Sequence, residues 1–247
     1  MTKKTRTTLF FICAFLFILA APSVIFYSQG YRFDFATKKV VQTGGLYFKV
    51  APRGAQVYLN GKLKDTTSFF TNSSLVENLM PKTYYVEISK DGYYSWQKTL
   101  NVKEGRVTEA KNITLMPGIQ KPNKLNASPA EIKNTISGFS AIATSSDGQK
   151  VIEADKHEIW VKFLEDEKKI FLVRFSEIIG KVFWLNNYYL IFNVGDKIKV
   201  AETDDRDRLN IIDIAEFKNP EIFWDTAGGK LYILSEGALY VSEKLLP

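Results

Sequence analysis

Residues 9–27 run for 19 positions without a charged side chain, and beyond them the chain becomes polar and strand-like. A helix rises about 1.5 Å per residue, so a run of this length just spans a hydrocarbon core of about 30 Å. Over residues 46–115 the apolar positions recur with period two, the mark of half-buried strands. Leu46, Phe48 and Val50 share one face, Val57 and Leu59 follow, and Val86 and Ile88 form another pair. Tyr94, Trp96, Lys98 and Leu100 alternate with Ser95, Gln97 and Thr99, and a last strand is predicted from Val107 through Ile113 and Leu115. Asn60-Gly61 suits a tight type I′ hairpin turn, and Lys90-Asp91-Gly92 has the same turn chemistry. Residues 72–80 read as the one helical or irregular piece. The pattern predicts a small all-β sandwich over residues 45–117, stopped by Pro117-Gly118.

Several turn motifs in this stretch carry a family resemblance. Pro52-Arg53-Gly54-Ala55 is followed by a strand ending in Asn60-Gly61, then by Pro81 and Tyr84, then by Asp91-Gly92-Tyr93 with Trp96. This resembles the PEGA domain, named for a Pro-Glu-Gly-Ala motif, over about 70 residues. Arg53 stands where the family has Glu, Lys82 where it has Gly, and residues 66–78 are longer than usual. The resemblance implies a small β-sandwich of bacterial and archaeal envelope proteins and no catalytic residues. In such a motif Pro fixes φ while Gly permits unusual angles, so Pro52, Gly54, Ala55, Asn60, Gly61, Pro81, Tyr84, Asp91, Gly92, Tyr93 and Trp96 read as structural. Trp96 fits a buried core residue, because large aromatics supply much of the area a small sandwich buries; an exposed glycan-gripping aromatic is the rival reading.

Residues 118–129 are rich in turn formers and predict a linker. Residues 130–247 hold a weak repeat with a period near 40, of strand, turn, strand, turn, strand: Trp184 and Trp224 are 40 apart, and Ile159, Ile198 and Leu239 are 39 and 41 apart. The unit with Asp147-Gly148 and Ile159-Trp160-Val161 resembles blades of WD-repeat and Tol-type β-propellers. The expected architecture is therefore mainly β: a transmembrane helix, a PEGA-like sandwich and a partial β-propeller-like array of about three blades. Propellers typically close with about four to eight blades, so a truncated propeller, an open stack and a ring completed by another chain all stay open.

The apolar run decides the address. A secretory signal cleaved near Ala21-Pro22-Ser23 is one reading, but the apolar continuation through Val24, Ile25, Phe26 and Tyr27 favours a retained anchor. Lys3, Lys4 and Arg6 keep residues 1–8 cytoplasmic, residues 28–44 form a juxtamembrane segment, and the β regions lie outside. The net charge of +6 divides as +3 over residues 1–30, +6 over residues 31–120 and −3 over residues 121–247. The positive middle can lean on acidic polymers or anionic head groups, although its basic residues are scattered. No dense basic patch suggests a nucleic-acid partner. Cys13, inside the apolar run, is the only cysteine, which excludes an intramolecular disulfide.

Reactive constellations are missing. His157 is the sole histidine, beside a turn and without a nucleophile motif, and a zinc site would need further His or Cys. Asp204, Asp205 and Asp207 alternate with Arg206 and Arg208 and read as a solvated loop rather than a calcium site. No catalytic, cofactor or metal residues are assigned. The expected role is non-enzymatic binding or scaffolding at the envelope, with the bilayer met through residues 9–27 and with glycan, surface protein or another copy as partner. The alternatives are a carbohydrate-active hydrolase with paired carboxylates in the repeat region and a ligand-binding sensor ectodomain.

Overall fold

A computed structural model describes residues 3–118, 121–139 and 143–246. The apolar run forms helix α1 (Lys3–Ser28), long and apolar enough to cross a bilayer, with large apolar side chains exposed along its whole length and no residue buried. A two-stranded antiparallel hairpin, β1 (Tyr31–Asp34) and β2 (Lys39–Gln42), follows at once.

The first β domain contains β3 (Gly44–Ala51), β4 (Gln56–Leu59), β5 (Lys62–Thr66), β6 (Ser73–Leu79), β7 (Thr83–Ser89), β8 (Trp96–Asn101) and β9 (Val107–Thr114). These make two sheets, ordered β6-β3-β9 and β5-β4-β7-β8, and every pairing is antiparallel except β3 with β9. The alternating residues meet between the sheets: Leu46, Phe48, Val57, Leu59, Val86, Ile88, Leu100 and Ile113 are all buried in one cluster. Asn60 and Gly61 sit at φ +50° and +75°, and the Asn60 side-chain oxygen accepts the Tyr85 amide at 3.0 Å, tying the β4–β5 turn to β7. Residues 73–79, within the piece expected to be helical or irregular, are strand β6 instead. Asn72 and Asn78 take left-handed conformations at its two ends, and between them the backbone satisfies its hydrogen bonds on the open edge of β3. Pairing to a preformed edge outweighs the turn preference of Asn and Ser.

The second region begins with β10 (Asn123–Lys124), inside the expected linker of residues 118–129, and helix α2 (Pro129–Ser137), which opens the stretch expected to hold only strand repeats. α2 is closed by a capping box in which Ser128 and Glu131 exchange hydrogen bonds. Then come β11 (Lys150–Ala154), β12 (Glu158–Phe163), β13 (Lys169–Arg174), β14 (Ile179–Asn186), β15 (Tyr189–Val194), β16 (Lys197–Glu202), β17 (Ile211–Glu216), β18 (Glu221–Asp225), β19 (Lys230–Ser235) and β20 (Ala238–Lys244). They form three antiparallel sheets in chain order: β11-β12-β13, β14-β15-β16-β17 and β18-β19-β20. The third sheet takes β10 against β20 as its fourth strand. Ile159, Val161 and Leu172 of the first sheet pack on Leu190 and Phe192 of the second, whose other face packs through Phe183, Ile191 and Ile198 on Ile222, Trp224 and Ile233 of the third. The sheets stack face to face, and no closed ring is seen among the described residues.

Candidate functional site

Strand alternation turns Trp96, Lys98 and Leu100 of β8 toward the interior. Leu100 and the Trp96 ring stay in the sandwich core, while Trp96 Nε1 and Lys98 Nζ reach the second region. Lys98 is fully buried, at 0% exposure, which an ammonium tolerates only when all three protons are accepted. They are: Nζ donates to Glu202 Oε1 at 2.5 Å, to the Asp204 carbonyl at 2.9 Å and to the Arg208 carbonyl at 3.1 Å. Glu202, buried at the end of β16, is saturated in turn. Its Oε1 also accepts the Asn210 amide at 3.0 Å and Asn210 Nδ2 at 2.7 Å, and its Oε2 accepts Trp96 Nε1 at 2.8 Å. Two buried charges are tolerable at this price in desolvation because no donor or acceptor of the pair is left over.

Around this pair the edge of β8 is closed by side chains of the β16–β17 loop. Asn210 acts as a surrogate strand residue, accepting the Gln97 amide at 3.3 Å and donating to the Gln97 carbonyl at 3.0 Å. Asp207 Oδ2 accepts the Thr99 amide at 2.7 Å, Arg208 bonds the Gln97 side chain, and Tyr94 OH donates to the Asp213 carbonyl at 2.7 Å. The loop holding Asp204, Asp205 and Asp207, expected to be solvated, keeps Asp205 and Asp207 exposed and also docks the second region on β8. The bond from the Thr99 amide holds the Asp207 carboxyl below its ordinary range. For Asp204 burial pulls the other way, yet the fork from Arg206 and the charge of Lys98 leave it lowered.

A cleft of about 310 Å³ opens along this seam, between β9 and the loops of the second and first sheets of the second region. That is at the small end of ligand sites. Phe163, Tyr188 and Tyr189 give it aromatic wall, and Lys111, Asn112 and Arg206 line it too. Buried Lys150 donates to the Asn187 carbonyl at 2.9 Å, lies 3.8 Å from Asp147 and points Nζ at the Tyr188 ring, 4.7 Å from its centroid. Tyr189 OH accepts the Thr114 amide at 3.0 Å, a second bridge between the domains; burial and then the Glu202 charge push its hydroxyl well above the usual tyrosine range. Two carboxylates here are committed, Glu202 to four donors and Asp204 to Arg206 through both oxygens, while exposed Asp205 lies 3.8 Å from Lys168. No group of three His, Cys, Asp or Glu suited to a metal occurs among the described residues.

Of the motif residues read as structural, Trp96 enters this site, buried at 4% exposure; Asp204, Asp205 and Arg206, read as a solvated loop, line the cleft with it. Gly54, Asn60, Gly61 and Gly92 occupy turns at positive φ, Ala55 and Tyr84 are buried in the sandwich, and Tyr93 packs on its rim. Pro52 follows a cis peptide bond after β3, Pro81 lies in the turn before β7, and Asp91 in the turn before Gly92. His157 lies in the bend between β11 and β12, its amide held by Asp155. Sequence reasoning missed Lys98, Glu202, Asn210 and Lys150. One signal was available: Lys98 occupies an inward position of the β8 alternation, where a charge needs a partner.

Residues 43–118 match the family model of the PEGA domain. No curated protein matches the chain.

Proposed function

We propose that this chain is a non-enzymatic, membrane-tethered module of the cell envelope. In this reading α1 is a retained anchor with its N-terminus cytoplasmic, the PEGA domain and the stacked sheets lie outside, and the seam cleft takes a short segment of envelope glycan. The three stacked sheets serve as propeller-type blades, with β10 completing the last from the other end of the repeat region. The observation that carries the reading is the cleft beside the buried Lys98–Glu202 pair. Its wall combines aromatic faces with the Lys150 ammonium and the exposed side chains of Lys111 and Asn112, the chemistry that packs on sugar rings and bonds their hydroxyls. The non-enzymatic part is supported by Glu202 and Asp204, whose carboxylates are both taken up by structural donors.

The test is retention of the detergent-solubilised full chain on purified envelope glycan, compared with Tyr188→Ala and Lys150→Met. Specific retention that both substitutions weaken about tenfold supports the reading, since a stacked aromatic and a polar anchor are each worth a kcal/mol or more. No retention, or retention unchanged by either substitution, overturns it. Release of reducing sugar ends from that glycan overturns the non-enzymatic part.

A further inference from the structure

We propose that the end of the PEGA domain nearest α1, led by the β1–β2 hairpin, is seated on the head-group region of an anionic lipid bilayer. The inference rests on the reading of α1 as a retained anchor and adds a second, peripheral contact that orients the domains outside.

The chain doubles back as soon as α1 ends. Gly30 turns at φ +84°, and its carbonyl accepts both the amide and the hydroxyl of Thr43 at 2.9 Å, closing the base of the hairpin. Tyr31 meets the Phe26 ring edge-on at 5.6 Å. Arg32 donates to the Tyr27 carbonyl at 2.8 Å and lays its guanidinium over the Tyr27 ring at 3.6 Å. Strand β1 thus packs against the last turn of α1, where a spanning helix leaves the hydrocarbon.

The hairpin has no core of its own. None of its strand residues is buried, and a lone two-stranded ribbon is marginal in water. Phe33 and Phe35 pack edge-on at 5.1 Å with Phe35 85% exposed, and Val40 is exposed beside them. Aromatic and basic side chains side by side at a helix exit match the two layers of a bilayer interface: apolar boundary and charged head groups. The basic residues extend beyond the hairpin. Arg32 reaches Asn78 near the end of β6 at 3.3 Å, and in the β6–β7 loop that follows the Lys82 carbonyl accepts the Val102 amide. The neighbouring β8–β9 turn carries Lys103 and Arg106 and closes on β3 through the bond from the Gly45 amide to the Arg106 carbonyl. Arg32, Lys38, Lys39, Lys82, Lys103 and Arg106 therefore lie on the hairpin and the adjoining strand ends and turns, where Asp34, Glu77 and Glu104 are the acids among the described residues, a balance that favours anionic head groups.

The full chain with Cys13→Ala, labelled with the fluorophore NBD at Ala36→Cys in the hairpin tip, is reconstituted in phosphatidylcholine vesicles containing about one third phosphatidylglycerol and a nitroxide head-group lipid. A parallel sample carries the label at Phe70→Cys, 94% exposed in the β5–β6 loop at the other end of the PEGA domain. The proposal expects quenching at Ala36 and none at Phe70. It expects loss of that quenching in Phe33→Ser/Phe35→Ser, and a drop of about twofold in Lys38→Glu/Lys39→Glu or in pure phosphatidylcholine. Equal, weak quenching at both positions in protein that resists alkaline carbonate extraction overturns the proposal alone. Equal quenching in neutral and anionic vesicles overturns the anionic assignment. Extraction of the protein by carbonate instead overturns the anchor on which the proposal rests.

Discussion

At the scale of single residues, the most consequential side chain is one a sequence reader passes over. Lys98 looks like any strand lysine, yet it is the charge around which two β regions are joined. Removing one partner of a buried, saturated ion pair strands the other in low dielectric, so Lys98→Ala should destabilise the protein by about 3–5 kcal/mol. Replacing both partners, as Lys98→Met with Glu202→Leu, should recover much of that loss, because the desolvation cost disappears together with the attraction. Urea denaturation followed by tryptophan fluorescence measures both, and Trp96 reports the junction directly. A Lys98→Ala chain as stable as the parent would mean the pair contributes nothing net. Turn residues behave oppositely: Asn60, Gly61 and Gly92 were legible because their requirement, a positive φ, is local.

At the scale of elements, legibility follows how local each element's reason is. β3, β4, β7 and β8 have clean alternation and bounded turns, and the sandwich built from them was readable before any coordinates. β6 was not, since its strand state depends on the edge of β3 rather than on its own Asn- and Ser-rich sequence. Helix α2 was readable in principle: Ser128-Pro129 with Glu131 is a helix start signal, overlooked in a region that otherwise reads as strands. Because α2 buries no residue, its stability rests largely on that cap. Ser128→Ala should cost about 1 kcal/mol of local stability. In hydrogen exchange the α2 amides should lose about fivefold in protection while β15 amides are unchanged. Equal loss in both elements would show that α2 is coupled to the sheets.

At the scale of the whole molecule, the seam makes the two β regions one unit and gives it a pH dependence. Asp207 is lowered by its bond from Thr99, and Asp204 by Arg206 and Lys98 against the opposing pull of burial. Asp213 is lowered by Lys199 and Lys197, again against burial. For a carboxyl lowered in the folded state, the added stability is present above its ordinary value of 3.8 and is lost as pH falls through the folded value. The urea midpoint should therefore hold near neutral pH and drop steeply only below about pH 4. Asp207→Asn, which retains the shape but weakens the acceptor, should flatten part of that drop. An unchanged profile would remove Asp207 from the account.

The amino-acid sequence alone determined what depends on neighbours along the chain. The 19 uncharged residues specify a spanning-length helix, period-two alternation specifies strands, and Pro52, Gly54, Asn60-Gly61 and Asp91-Gly92 specify turns whose spacing marks the PEGA domain. The tertiary structure decided what depends on partners far away. Lys98 meets Glu202 across 104 positions, Asp207 accepts the Thr99 amide at the edge of β8 across 108, and β10 joins β20 from the other end of the second region. Turn angles and alternation are local energies that any copy of the same short segment would express. The pairing of a buried charge or an open strand edge is settled only when chain folding brings the two groups out of water together.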